Sequence, residues 1–278
     1  LNHKGCRSLN IVQAAILGVV QGVTEFIPIS SSAHLVLVPN LMGWHQPSVS
    51  FDVMLHMGTL VAVLYFFKVE VINLFGVFLT GFKEKEIRKS TDYKLCWLII
   101  IGTVPAVVLA LLFQNFFENL FSKPESVAFF LLGTGALLWF SETTSKRARV
   151  MEDANLSDAL IIGLAQGCAI APGISRSGAT IAAGLFKGLD RDSAARFSFL
   201  LAIPIIFGAV VVKMSDFIYL CRSQASVSLL LGFLTAAASG YLCIKYFLNY
   251  LKKGSLMIFA YYCWFVGLAF ILSKRFLI

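Results

Sequence analysis

At 278 residues, 58% hydrophobic and only 14% charged, the chain is too apolar for a soluble domain, which runs closer to about half apolar and about a quarter charged. Its length leaves no room for a sizeable soluble domain beside a membrane-embedded one. The net charge of +8 sits in short loops between apolar segments, which speaks against nucleic acid as a partner and fits topology signals and anionic headgroups.

In chain order, residues 11–20 and 35–42 are each about half a span, because ten residues at ~1.5 Å rise reach only the bilayer middle. Between them lies the polar stretch "TEFIPISSSA", which offers no signal-peptide cleavage site, so no cleavable leader is expected. Residues 51–82 read as one long helix, or as a spanning helix with an interfacial extension. Residues 95–113 and 127–140 follow as spans, the second extended by Ser141 to Thr144. Residues 161–171 and 179–186, separated by "PGISRSG", repeat the half-length arrangement. Residues 197–214, 227–248 and 256–272 complete the set. Two half-length runs joined by a polar turn make a re-entrant hairpin, and irregular backbone at that depth is tolerated only under cover of protein or water.

The two hairpin regions align. "GVVQGVTEFIPISSSA" and "GLAQGCAIAPGISRSGA" match Gly18, Gln21 and Gly22 with Gly163, Gln166 and Gly167; after one inserted residue, Pro28 and Ser31 match Pro172 and Ser175. The expected fold is an all-α polytopic membrane protein with an inverted-topology repeat, residues 8–145 and 155–275, each half one re-entrant helix hairpin plus three transmembrane helices. Three crossings per copy invert the second, and sites in such folds lie at the repeat interface. Fourteen Lys and Arg, from Lys83 to Lys253, fall on one side against seven on the other, including Lys4, Arg7, Arg222 and Arg275. The larger set marks the cytoplasm and puts both termini outside. The hairpins then enter from opposite sides, and their tips meet within the membrane.

The six cysteines show no metal-type spacing. Cys96, Cys168, Cys243 and Cys263 lie in apolar segments as small hydrophobes. Cys6 and Cys221 share the outer face, but a disulfide between them is not the favoured reading.

Ser30 or Ser31 suits the N-cap of the half-helix through His34, and Ser175 or Ser177 that of the other. Two helix N-termini near one spot attract phosphate, and the Arg176 fork matches its oxygens. Arg176 alternatively forms a structural salt bridge with Glu25, since an unpaired Arg in hydrocarbon is costly. Taken singly, His34 reads as a core histidine and each serine as a cap; the constellation carries the signal. Asp52 and His56 share a helix face and border the site, Asp52 reading better as an interfacial anchor. Asp158, Asp190 and Asp192 are expected at the cytoplasmic surface.

"QGVTEF-P-SSSAH" resembles an (E/Q)xxxE motif followed by serines, and "PGISRSGAT" resembles PGxSRSxxT. With "FDVMLHMGTLVAVL", "GTVPAVVLALLF" and "RFSFLLAIP", the chain is similar over nearly its whole length to undecaprenyl-diphosphate phosphatases of the BacA/UppP family. That resemblance implies hydrolysis of undecaprenyl diphosphate to the monophosphate and inorganic phosphate, recycling the carrier lipid for cell-wall synthesis. It further implies the bacterial plasma membrane, an extracytoplasmic-facing site, a divalent cation such as Mg or Ca, and bacitracin resistance on overproduction, the antibiotic acting on the substrate. A homodimer is compatible with it.

By the same resemblance Glu25, Ser31, His34 and Arg176 are the expected catalytic residues, and Gln21, Ser30, Ser32, Ser175, Ser177 and Thr180 bind substrate. Gln21 stands where some relatives have Glu; it cannot act as a base and is a weaker metal ligand, so any acid–base role there passes to Glu25. Ser31 is the candidate nucleophile, with His34 to activate it or protonate the leaving group; direct attack by water is the rival. The alternative function is an inverted-repeat transporter or flippase of a phosphorylated polyprenyl lipid.

Overall fold

The computed structural model describes residues 10–113, 116–117, 120, 123–213 and 226–276. Cys6 and Cys221, and with them Lys4, Arg7 and Arg222, lie outside these residues, as does the side chain of Arg275. Among the described residues the fold is all-helical, with eleven α-helices.

Helix α1 (Ile11–Phe26) starts at a capping box, in which Asn10 Oδ1 accepts from Gln13 N at 2.8 Å and Gln13 Oε1 accepts from Asn10 N at 3.1 Å. It runs on past residue 20, because Gln21, Thr24 and Glu25 form its buried polar face rather than its end. It stops at Ile27, which is extended as a residue before proline tends to be. Four residues later α2 (Ser31–Leu41) begins, with Ser30 as N-cap.

The long apolar segment that follows divides at Phe67 into α3 (Val49–Phe66) and α4 (Lys68–Gly81), bent by 80°. Val69, Ile72 and Phe75 on α4 are exposed. Spanning helices α5 (Thr91–Leu112) and α6 (Pro124–Thr144) complete the first half. The second half comprises α7 (Leu156–Cys168) and α8 (Arg176–Phe186), then α9 (Arg191–Val212), α10 (Ser226–Leu251) and α11 (Met257–Phe276). Helices α5, α6, α9, α10 and α11 are long and apolar enough to cross a membrane, and the bent α3–α4 pair makes a sixth candidate.

The hairpin arms pack across the halves: α1 lies against α10, and α7 against α5, while α3 meets α9 and α6 meets α11. Close approach depends on missing side chains. A Cβ at Gly18 would strike the Gly232 carbonyl, and one at Gly163 would strike the Gly102 carbonyl, the small-residue contact typical of membrane helices. Phe26, Phe67, Phe197 and Phe199 are buried at the centre, Phe26 edge-on to Phe199 at 5.3 Å between centroids.

One end of the bundle is charged. Buried Glu142 binds Arg147, Arg191 and the Ser255 hydroxyl. Asp158, expected at the surface, is fully buried: Arg149 Nη2 lies 2.6 Å and Lys187 Nζ 3.5 Å from its carboxylate. The capping box with Asn155 fixes Asp158 at the third position of α7 and turns it towards those cations. Asp190 caps α9, and Asp192 pairs with Arg196 at 2.9 Å.

Candidate active site

The two helix breaks meet. Ser177 Oγ donates to the Ile27 carbonyl at 3.3 Å, and Gly173 N donates to Ser32 Oγ at 3.3 Å. Between the breaks Arg176 Nη2 sits 2.6 Å from Glu25 Oε1. Glu25 is buried, at 6% exposure. Its other oxygen accepts from Ser31 Oγ at 2.6 Å and from Gln21 Nε2 at 3.0 Å. His56 Nε2 reaches to 3.8 Å of the same oxygen. Gln21 Oε1 is buried with no partner among the described residues.

Each serine has a separate task. Ser30 and Ser175 are the caps: Ser30 Oγ accepts from Ala33 N at 3.2 Å, and Ser175 Oγ accepts from Gly178 N at 3.0 Å. Ser30 and Ser32 hydroxyls lie 3.1 Å apart, and those of Ser175 and Ser177 3.2 Å apart. Ser31 is thus the serine aimed at the carboxylate. The first N–H groups of α2 and α8 have no partner within their helices, and both helix starts flank the Glu25–Arg176 pair.

His34 is near Ser31 in sequence but engaged elsewhere. Its Nδ1 is 2.8 Å from the Ser30 carbonyl, and its Nε2 is 2.9 Å from the Tyr262 hydroxyl. Thr180 also faces inward, its Oγ1 2.6 Å from Ser198 Oγ. Asp52 is half-buried one turn from His56, whose Nδ1 donates to the Asp52 carbonyl at 2.8 Å.

Three supporting residues escape a reading by sequence motif. Thr134 Oγ1 donates to the Gly173 carbonyl and accepts from Ser175 N, both at 3.0 Å, and so pins the second break. The Ser198 carbonyl accepts from Arg176 Nη1 at 3.4 Å. Tyr262 holds His34. Thr134 and Tyr262 act through polar side chains inside spanning helices, which is the available signal, whereas the Ser198 contact to Arg176 is made by the main chain and leaves none.

The family model described as "Bacitracin resistance protein BacA" matches residues 14–269. Over 268 residues the chain is 46% identical to the undecaprenyl-diphosphatase of Methanobrevibacter smithii, covering 94% of this chain and 96% of that one. It is 45% identical over 265 residues to the undecaprenyl-diphosphatase of Halothermothrix orenii, covering 95% and 98%. It is 41% identical over 265 residues to undecaprenyl-diphosphatase 2 of Stutzerimonas stutzeri, covering 93% and 96%.

Proposed function

The chain belongs to the BacA bacitracin resistance protein family, and from that membership and the Ser31–Glu25–Arg176 cluster we infer that it is an undecaprenyl-diphosphatase. It is a multi-pass membrane protein that hydrolyses undecaprenyl diphosphate to the monophosphate and inorganic phosphate, returning the carrier lipid for cell-wall synthesis. The transporter alternative is not favoured: relatives over nearly the full length are named as phosphatases, and a carrier has no need of a serine on a buried carboxylate.

The observation that carries the mechanism is the 2.6 Å bond from Ser31 Oγ to Glu25. Ser31 Oγ attacks the terminal phosphorus while its proton passes to Glu25 Oε2. The phosphoanhydride bond breaks, and undecaprenyl monophosphate leaves with the bonding electron pair. Arg176 and the N–H groups opening α2 and α8 neutralise the phosphoryl oxygens. Glu25 hands the Ser31 proton to the departing monophosphate. Water then attacks the phosphoserine phosphorus while giving a proton to Glu25, the Ser31 Oγ–phosphorus bond breaks, and Ser31 Oγ takes the proton back from Glu25 as phosphate is freed. Gln21, Ser32, Ser175, Ser177 and Thr180 hold the surrounding shape and hydrogen bonding. Direct attack by water on the anhydride is the second reading, with Ser31 as a phosphate ligand only.

The donor set suits a divalent cation held by one carboxylate and substrate oxygens. Glu25 and the unpartnered Gln21 Oε1 would hold it, and when bound it supplies further neutralisation of diphosphate charge. We read the active site as opening extracytoplasmically, on the strength of the Lys and Arg distribution. We also read residues 8–145 and 155–275 as inverted copies; the matched packing of Gly18 on α10 and Gly163 on α5 supports this. An apolar groove of about 400 Å³ that includes Ile27, Leu242, Cys243, Phe247 and Phe259 lies beside the first break and suits a polyprenyl chain. Phosphate release by the purified protein from a long-chain polyprenyl diphosphate, with Glu25→Ala and Arg176→Ala alongside, tests the assignment.

A further inference from the structure

Ser30 is one of two non-glycine residues with positive φ among the described residues, at φ 69 and ψ 97. A side chain with a Cβ rarely adopts that conformation, and it persists only where the surroundings over-determine it. The conformation matters because the peptide leaving Ser30 sets where Ser31 points.

The surroundings converge on the Ser30 carbonyl. It accepts from His34 N at 3.2 Å and lies 2.8 Å from His34 Nδ1. A carbonyl only accepts, so Nδ1 carries the proton, and in the neutral ring Nε2 is then the acceptor. The partner at Nε2 is the Tyr262 hydroxyl at 2.9 Å, which donates to it. The two rings also stack, 5.7 Å between centroids and 12° from parallel. The next residue on α11 keeps the same register: Cys263 Sγ lies 3.9 Å from the Pro28 carbonyl within the first break.

We propose that Tyr262 is a positioning residue for the phosphatase reaction: it fixes the tautomer and plane of His34, which clamps the left-handed Ser30 and so aims Ser31 at Glu25. Tyr262 touches neither Ser31 nor Glu25; it acts through His34 and the Ser30 backbone. His34 in this arrangement is also a positioning group, since both its nitrogens are committed away from the Ser31 hydroxyl. The proposal rests on the reading of Ser31 as nucleophile.

Tyr262→Phe keeps the ring over His34 and removes only the hydroxyl. In the purified full-length protein its kcat for a long-chain polyprenyl diphosphate falls about tenfold, with KM within about twofold, as expected when a reacting group is misaimed. Thermal unfolding of the same sample shows a midpoint close to wild type. The discriminating arm repeats Tyr262→Phe in a Ser30→Gly background, where glycine takes positive φ without a clamp. There the kcat loss shrinks to about twofold or less, because the strain the clamp opposes is gone. An unchanged kcat in Tyr262→Phe, a loss confined to KM, or an equal kcat loss in both backgrounds overturns the proposal. If wild type hydrolyses the lipid and Tyr262→Phe does so equally well, the clamp alone falls; if wild type releases no phosphate, the phosphatase reading falls and the clamp with it.

Discussion

Arg176 Nη2 and Glu25 Oε1 form a 2.6 Å ion pair across 151 positions of sequence, tying the start of one half-helix to the end of another. The pair is compatible with a purely structural role and with a catalytic one, and the two roles separate on mutation. Removing one partner of a buried pair leaves an uncompensated charge, a loss of about 3–5 kcal/mol. Arg176→Ala therefore lowers both the thermal midpoint and turnover. Glu25→Ala combined with Arg176→Ala recovers much of the stability and none of the turnover. Recovery of turnover in the double variant would make the pair structural only.

Ser31 is partly buried and among the described residues its hydroxyl bonds only to Glu25, so Ser31→Ala changes stability by no more than about 1 kcal/mol. Turnover nevertheless falls at least about a thousandfold, as for loss of a nucleophile. Acid-quenched wild-type enzyme analysed by mass spectrometry carries phosphate on Ser31. Phosphate-free Ser31 at every quench time would favour direct attack by water.

Gly18→Val and Gly163→Val place a side chain against the Gly232 and Gly102 carbonyls respectively. Each forces a helix pair apart and costs about 1–3 kcal/mol or more. Similar falls in thermal midpoint for the two variants are expected if the halves are built alike. A large effect at one position and none at the other would count against the repeat.

Asp158 is wholly buried between Arg149 and Lys187, at the opposite end of α7 from the second break. Asp158→Ala strands Arg149 and lowers stability by about 3–5 kcal/mol, read as a lower thermal midpoint. Phosphate release per folded molecule stays at the wild-type rate, which separates this end of the bundle from the site.

Chelation of divalent cations lowers turnover, and added Mg or Ca restores it, while the circular dichroism of the protein is unchanged. Gln21→Leu raises the cation concentration needed for half-maximal turnover, since it removes the unpartnered Oε1 beside Glu25. Equal cation dependence in the two proteins would remove Gln21 from the ligand set.

Much of the molecule is legible in the sequence because the membrane allows few solutions. Apolar runs of half length, Pro28 and Pro172, and the serines that follow suffice to mark both breaks. The apolar run of α1 stops at residue 20 while Pro28 marks the helix end close to Phe26; that Gln21, Thr24 and Glu25 in between line one buried helical face is shown only by packing. The 80° turn at Phe67 has no proline or glycine to announce it. The burial of Asp158 is likewise invisible, since a capping box fits a surface or a buried helix start equally well. His34 illustrates the limit at the site itself. Three residues from Ser31, it looks like that serine's base, yet its ring turns to Ser30 and to Tyr262, 228 positions away. Helical spacing gives neighbourhood; tertiary partners decide what a side chain does there.

The most direct test of the account is phosphate release from undecaprenyl diphosphate by the purified full-length protein in detergent with a divalent cation present. Wild type is predicted to release inorganic phosphate, with Glu25→Ala, Ser31→Ala and Arg176→Ala close to background. No release by folded wild type, or undiminished release by Ser31→Ala and Glu25→Ala, would contradict it.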